Sequence, residues 1–309
     1  MNPLLVFFSA VCAAMVVVSA ARGAESPALA PVSVGSADDP HYADDQRQFQ
    51  GIPSIAITPG GRLWATWYSG GAGEGPDNYV LLATSADRGH TWSKPVQVID
   101  PPSPVRGYDA VVWCDPRGQL WWFHAQTYGS WDGRAGVWAR VSTNADDPLP
   151  TWSEPRRIAD GIMMNKPTVT RGGRWLFPIA RWALKPSASM PGGKRPPIPN
   201  PHLAWDPDAT GSHLYQSDDA GATITRLGTA KIPDVRYDEH HAMERRDGAL
   251  WMLARTNVGI SESTSADGGL TWSPGQPSAI PNAPSRFCIR RLASGNLLLV
   301  KHNPPMDQP

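Results

Sequence analysis

The sequence predicts an all-β protein, a β-propeller of repeated four-stranded blades with about four and a half blades present. Three observations carry this. A phrase of the pattern Ser-x-Asp-x-Gly-x-Thr-Trp recurs at Ser85–Trp92 and Ser265–Trp272, with a worn copy at Ser217–Ile224 and an interrupted one from Ser142 to Trp152. A second motif is interleaved with it, a Gly-turn followed by an aromatic or leucine strand: Gly61-Arg-Leu-Trp64, Gly118-Gln-Leu-Trp121, Gly173-Arg-Trp-Leu176, Gly248-Ala-Leu-Trp251 and Gly295-Asn-Leu-Leu298. The composition, with 14 tryptophans, 29 glycines and 32 prolines in 309 residues, suits many short strands joined by tight turns.

Taken in chain order, the first element is a targeting segment. Leu4 to Val18 is almost wholly apolar and small residues follow, so residues 1–23 read as a signal peptide and the protein is expected to be secreted or periplasmic. No second apolar run approaches membrane length, so no membrane association is expected after cleavage. Residues 24–45 read as an irregular, Pro-containing leader, and 46–309 as the propeller domain. Within each unit a Gly-turn hairpin comes first, then a strand, the Asp phrase and another strand. The Asp phrase therefore falls in the turn between third and fourth strands. Its Ser and Asp side chains can bond nearby backbone amides, its Gly supplies a positive φ, and its Trp is expected to pack between blades. A fifth blade opens at Gly295 and is not finished by Pro309, so the domain reads as C-terminally truncated.

The 28 basic and 28 acidic residues are interspersed, which argues against a nucleic-acid partner or an electrostatic membrane surface. Outside the signal segment only Cys114 and Cys288 remain, which do not make a disulfide framework. Nothing has convincing metal-ligand spacing, and no cofactor is expected.

The repeat register lets equivalent positions be compared. Nine residues before the five hairpin glycines lie Ile52, Asp109, Met164, Glu239 and Arg286; seven after them lie Tyr68, Ala125, Ala180, Arg255 and His302. In a propeller the first set opens the innermost strand at one mouth of the central channel, and the second set returns toward it. Asp109, Glu239, Arg255 and Arg286 should therefore converge. Two acids and two arginines at a channel mouth suit a carboxylated sugar, because a guanidinium binds a carboxylate bidentately and a tuned carboxyl serves as acid or base.

The Asp phrases resemble those of the sialidase (neuraminidase) superfamily, also described by BNR or Asp-box repeats, from about Phe49 onward. The segment from Asp238-Glu239-His240-His241 through Gly248 to Arg255 is similar to the sialidase stretch in which a Glu precedes a hairpin and an Arg closes it. The resemblance implies a six-bladed propeller and an exported exo-α-sialidase-type hydrolase acting on terminal acidic sugars of glycans or sialoglycoconjugates. It implies Glu239 as the base that activates a tyrosine nucleophile and Arg255 as one arm holding the substrate carboxylate. It also implies an Asp acid on the loop after the first hairpin; here Asp77 is the first choice and Glu74 the second.

Asp109 joins the catalytic candidates, and Arg286, His240 and Tyr68 the substrate-binding ones. Gly51 stands where the resemblance places an arginine before Ile52-Pro53, with Arg47 nearby. The tyrosine and third arginine of the pattern would fall beyond Pro309. His240, His241 and Lys166 add polar groups to the same face. A glycan-active enzyme of different specificity and a non-catalytic glycan-binding propeller therefore stay open as alternatives.

Overall fold

A computed structural model describes residues 29–128, 135–181, 210–235 and 239–302. The leader supplies β1 (Gly35–Ser36) and single 3-10 turns at Pro40–Tyr42 and Asp44–Gln46. The first blade is a meander of β2 (Gln50–Ile57), β3 (Leu63–Ser69), β4 (Tyr79–Ser85) and β5 (Gln97–Ile99). The second is β6 (Val105–Cys114), β7 (Leu120–Tyr128), β8 (Gly136–Ser142) and β9 (Arg156–Asp160). The third is β10 (Thr168–Val169), β11 (Trp175–Arg181), β12 (Gly211–Ser217) and β13 (Thr225–Ala230). The fourth is β14 (His241–Glu244), β15 (Leu250–Thr256), β16 (Gly259–Ser265) and β17 (Gln276–Pro277), and a hairpin of β18 (Cys288–Arg291) and β19 (Leu297–Val300) begins a fifth.

All pairing within the blades is antiparallel between sequence neighbours, the meander that the alternating turn signals predict. The five hairpin glycines, from Gly61 to Gly295, all have positive φ, which closes each first hairpin without a Cβ penalty. The leader is less irregular than its composition suggests. β1 pairs with β5 as an extra outer edge, and the Tyr42 hydroxyl donates to Asp100 at 2.9 Å. Among the described residues no helix is long and apolar enough to cross a membrane.

The Asp phrases sit where expected, between third and fourth strands. In the copy after β16, the Ser265 hydroxyl donates to Asp267 at 2.7 Å and accepts from the Gly269 amide at 2.8 Å, while Asp267 accepts from the amide and hydroxyl of Thr271. Asp87 and Asp219 repeat the set. These bonds stabilise the charged form and hold all three carboxyls below the usual carboxylate range. In the interrupted copy Asn144 replaces the acid, accepting from Ser142 and from Thr151. The inserted residues are not idle: Asp146 accepts from Thr58 and, at 3.1 Å, from the Gly60 amide, tying this turn to the first blade's hairpin.

Blades two to four each bury both faces against neighbouring blades. One apolar cluster joins blades one and two around Trp64 and Trp122, a second joins two and three around Trp121 and Phe177, and further clusters join three to four and four to five. The last residue of the Asp phrase packs on the preceding blade: Trp152 on the first cluster, Ile224 on the second, Trp272 on the third. Trp92 is the exception to the expected packing. It belongs to the first blade, has no described blade before it, and is 42% exposed.

Ser265→Ala should destabilise the protein by about 1–3 kcal/mol, because the buried Gly269 amide loses its acceptor. Urea denaturation is expected to show a lower midpoint at an unchanged slope. An unshifted midpoint would mean that the phrase does not contribute as described.

Candidate functional site

The site begins with a distortion of the two innermost strands. β2 and β6 each carry a register shift near the start, between Gly51 and Ser54 and between Tyr108 and Val111. Within these bulges Ile52 and Asp109 take left-handed φ values of 48° and 46°. They are the equivalent positions of the repeat register. A bulge re-aims the side chains at its ends. Asp109 is thereby buried at the mouth, 4% exposed. Glu239 and Arg286 lie just ahead of β14 and β18, at the same register position.

Arg255, on β15, bonds Glu239. Its Nη1 donates to Oε1 at 3.0 Å, and its Nε donates to the Pro284 carbonyl at 3.0 Å. Glu239 is 3% exposed, and its second oxygen is buried with no hydrogen-bond partner among the described residues. Burial raises the Glu239 carboxyl above the usual carboxylate range, against the pull of Arg255 and Arg286. Burial also pushes Asp109 up to about 7; Arg106 and Arg286 oppose that rise, and the charges of Glu74 and Glu239 add to it. Asp109, Glu239, Arg255 and Arg286 thus share one electrostatic neighbourhood, although 177 residues separate the first from the last. Arg286 is held by neutral acceptors, donating to the Met164 carbonyl and to Asn165 Oδ1 at 3.3 Å.

The Gly-rich loop after β3 is a closed turn built on Asn78. The Asn78 amide donates to the Gly73 carbonyl at 2.9 Å and more weakly to those of Ser69 and Gly70, and its Oδ1 accepts from the Gly75 amide at 2.7 Å. The Asn78 carbonyl in turn accepts from the Gly107 amide, fixing the loop to β6. Gly70 is required here, since its φ is +99° and a Cβ would collide with the Asp77 carbonyl oxygen. This turn carries Glu74, not Asp77, to the cluster. Tyr68, 1% exposed, donates its hydroxyl to Glu74 Oε1 at 2.5 Å, and Tyr68 also feels the charge of Asp109. Burial first, then these two acids, raise the Tyr68 phenol far above its ordinary value. Glu74 and Asp77 are both solvent-exposed, but the charge of Asp77 is felt at Asp100. The turn geometry therefore sets the charge of Glu74 beside Tyr68 and Asp109.

His240 also departs from expectation. Its Nε2 lies 2.7 Å from the His213 carbonyl, in the seam between third and fourth blades, and not on the open mouth. His241 does the same toward Phe287, at 3.2 Å, with its pKa pushed down to about 3 by burial. Lys166 donates to the Ile55 carbonyl. Arg47 pairs with Asp44 and lies over the Trp67 ring, on the far face of the first blade. Three residues at the site escaped the sequence reading: Asn78; Asn165, whose amide also donates to the His240 carbonyl at 3.0 Å; and Arg106, buried beside Tyr108. Arg106 stands three positions before Asp109, a neighbour that comparison of single register positions passes over. No cluster of three or more metal-ligating side chains occurs among the described residues.

Residues 61–307 match the family described as "BNR repeat-like domain". A sialidase from Micromonospora viridifaciens is 26% identical over 300 residues, covering 87% of this chain and 43% of the relative. The chain thus spans less than half the length of that curated relative. Among solved structures, a protein of unknown function from Dyadobacter fermentans superposes with a TM-score of 0.62 at 17% identity, over 89% of this chain and 79% of that one. The Hadza microbial sialidase Hz136 superposes with a TM-score of 0.60 at 20% identity, over 83% and 53%. These likenesses establish a shared propeller fold.

Asp109→Asn tests the burial of the acid. A carboxyl whose folded pKa is raised to about 7 stabilises the fold below its ordinary pKa, and that stability is lost as pH rises toward 7. The amide tolerates the left-handed backbone and carries no charge. Its melting temperature should exceed that of the parent at about pH 8, and the gap should close toward about pH 4. A constant gap across that range would mean that Asp109 does not titrate as described.

Proposed function

We propose a sialidase-like glycoside hydrolase, from the premise that the chain belongs to the BNR repeat-like domain family. The substrate class is a glycan ending in an acidic sugar, and the reading extends to the whole protein, which we take to be exported on the strength of the apolar run Leu4–Val18, outside the described residues. The observation that supports it most is Glu239: buried, held through one oxygen by Arg255, and unpartnered at the other.

An oriented carboxylate with a free, desolvated oxygen is suited to take a proton from an attacking hydroxyl. In the mechanism implied by the resemblance that hydroxyl is a tyrosine's, which avoids the repulsion a carboxylate nucleophile would meet from an anionic sugar. As the hydroxyl oxygen bonds the anomeric carbon, the bond to the leaving oxygen breaks, and that oxygen needs a proton. Glu74 is assigned to deliver it in place of Asp77. Tyr68 occupies one oxygen of Glu74, which leaves the other to carry the proton. Arg255 and Arg286 are assigned to the sugar carboxylate, and Asp109 to setting the charge balance between them.

A second reading, a glycan-active enzyme of different specificity, is favoured by Gly51. A Cβ there would lie 3.0 Å from the Phe49 ring and 3.3 Å from the Tyr68 ring, so the arginine of the pattern would require both rings to shift.

Glu239→Gln should lower kcat on an aryl sialoside by about 100-fold or more. Glu74→Gln should slow release of a sugar leaving group by a similar factor while sparing a good phenolic leaving group, and Asp77→Asn should do neither. Released sugar measured on both substrate types checks this. Equal turnover by parent and Glu239→Gln would sink the assigned role of Glu239. Binding without any turnover by the parent would favour a non-catalytic propeller.

A further inference from the structure

Away from the mouth, the seam between the first two blades encloses a cation. Arg140, on β8, is 1% exposed, and its Nη1 and Nη2 are both buried without a hydrogen-bond partner. It takes part in none of the ion pairs among the described residues. Its cross-strand neighbour is Trp122, which belongs to the apolar cluster joining blades one and two, so Arg140 faces that seam. Trp138, two residues earlier on β8, faces the same way, and His124 stands opposite it on β7. The Trp138 indole nitrogen and His124 Nδ1 are likewise buried and unpartnered. Burial first, and then the charge of Arg140, push the His124 pKa down to about 3.

The leader closes the rim of this seam. Val32 and Val34 pack on the same cluster, and the Ala30 carbonyl accepts at 2.8 Å from Gln126, two residues beyond His124 on β7. Through β1 the same segment pairs with β5, so it spans from blade one to blade two. A guanidinium enclosed in this way is costly to hold unless a negative group compensates it. Burial lowers the Arg140 pKa only to about 10, which leaves the group charged at neutral pH. The acid whose charge reaches it, Glu154, is solvent-exposed.

The unpartnered nitrogens define the ligand. Guanidinium and indole N–H groups only donate, so the ligand must accept. One cation balances one negative charge, which disfavours phosphate and sulfate. Aromatic rings fill the seam around the site, Trp122 lying 5.3 Å from Trp152, which favours a monatomic ion. Water would satisfy the nitrogens and leave the charge uncompensated.

We propose that this seam binds one halide-sized monovalent anion, chloride, through the Arg140 guanidinium and the Trp138 indole. The anion neutralises the buried cation and fastens the leader-covered seam between blades one and two. No residue of the mouth takes part, so the site goes beyond the acidic-sugar reading and does not depend on it.

The test is thermal unfolding of the full chain in sodium gluconate, with chloride or bromide exchanged in at constant ionic strength. The melting temperature should rise with chloride and level off, as for a bound ligand, and bromide should replace chloride. Arg140→Met, which removes the charge and keeps the bulk, should no longer respond to halide. Trp138→Phe, which removes the indole donor alone, should raise the half-saturating chloride concentration by about fivefold. If Arg140→Met does not fold, Trp138→Phe and the anomalous scattering of bromide at the seam in crystals decide between the outcomes.

Equal melting in gluconate and chloride, a rise that never levels off, or a saturable rise undiminished in both variants would each overturn the proposal. So would crystals soaked in bromide, at a concentration that saturates the melting shift, with no bromide beside Arg140.

Discussion

The indole N–H of Trp64 crosses from the first blade to the carbonyl of Ala145 in the second, at 2.8 Å, and the indole of Trp122 returns to the Thr66 hydroxyl at 2.9 Å. Both tryptophans are fully buried, so each N–H must find its acceptor on the other blade or lose a bond that water cannot replace. This pair shows the constraint under which every blade exists. A four-stranded meander with two apolar faces cannot stand alone; it must be sandwiched. The interrupted Asp phrase serves the same end. Its insertion displaces Asp146 toward Thr58 and Gly60, so a break in one repeat becomes a tie between two. Once neighbouring blades are fixed in this way, the starts of their inner strands have little freedom in where they point.

The chemistry of the mouth follows from that restriction. Asp109 and Glu239 come from different blades and are both nearly excluded from water. Two buried acids would be untenable together without cations, and Arg106, Arg255 and Arg286 stand among them. The balance is incomplete, since both carboxyls stay above their ordinary range. Such a partly compensated set is what an acid–base site requires, because neither acid is locked in one protonation state. A fully paired network of the same residues would be more stable and chemically inert.

What the sequence disclosed was whatever repeats. The hairpin glycines, the Asp-phrase turns and the mouth positions recur at fixed offsets, so Asp109, Glu239, Arg255 and Arg286 could be brought together without coordinates. What it concealed depends on contacts made once. His240 and His241 end on carbonyl oxygens of other blades, and a backbone acceptor leaves no trace in composition or spacing. The choice between Glu74 and Asp77 turns on Asn78, whose several short bonds decide how the loop folds back. Residue type alone favoured Asp77; the path of the chain favours Glu74. Trp92 conforms to the phrase yet lies exposed, because no described blade stands before its own.

The left-handed residue at the start of β6 invites a reading as strain kept for catalysis, since uncommon backbone conformations gather at active sites. Ile52 argues against it. It has the same conformation, in the same bulge, at the same register position of β2, and it is an apolar residue packed on the first inter-blade cluster. For a β-branched side chain a positive φ is the more costly of the two, yet there it supports no chemistry. The bulge is therefore a property shared by the first two blades, present whether or not the position carries a functional group. The site is made by what the sequence writes onto that repeated geometry. An isoleucine in the first blade completes a core, and an aspartate in the second, among arginines, becomes a titratable group near neutrality. It follows that the chemistry of this position can change with no change of fold.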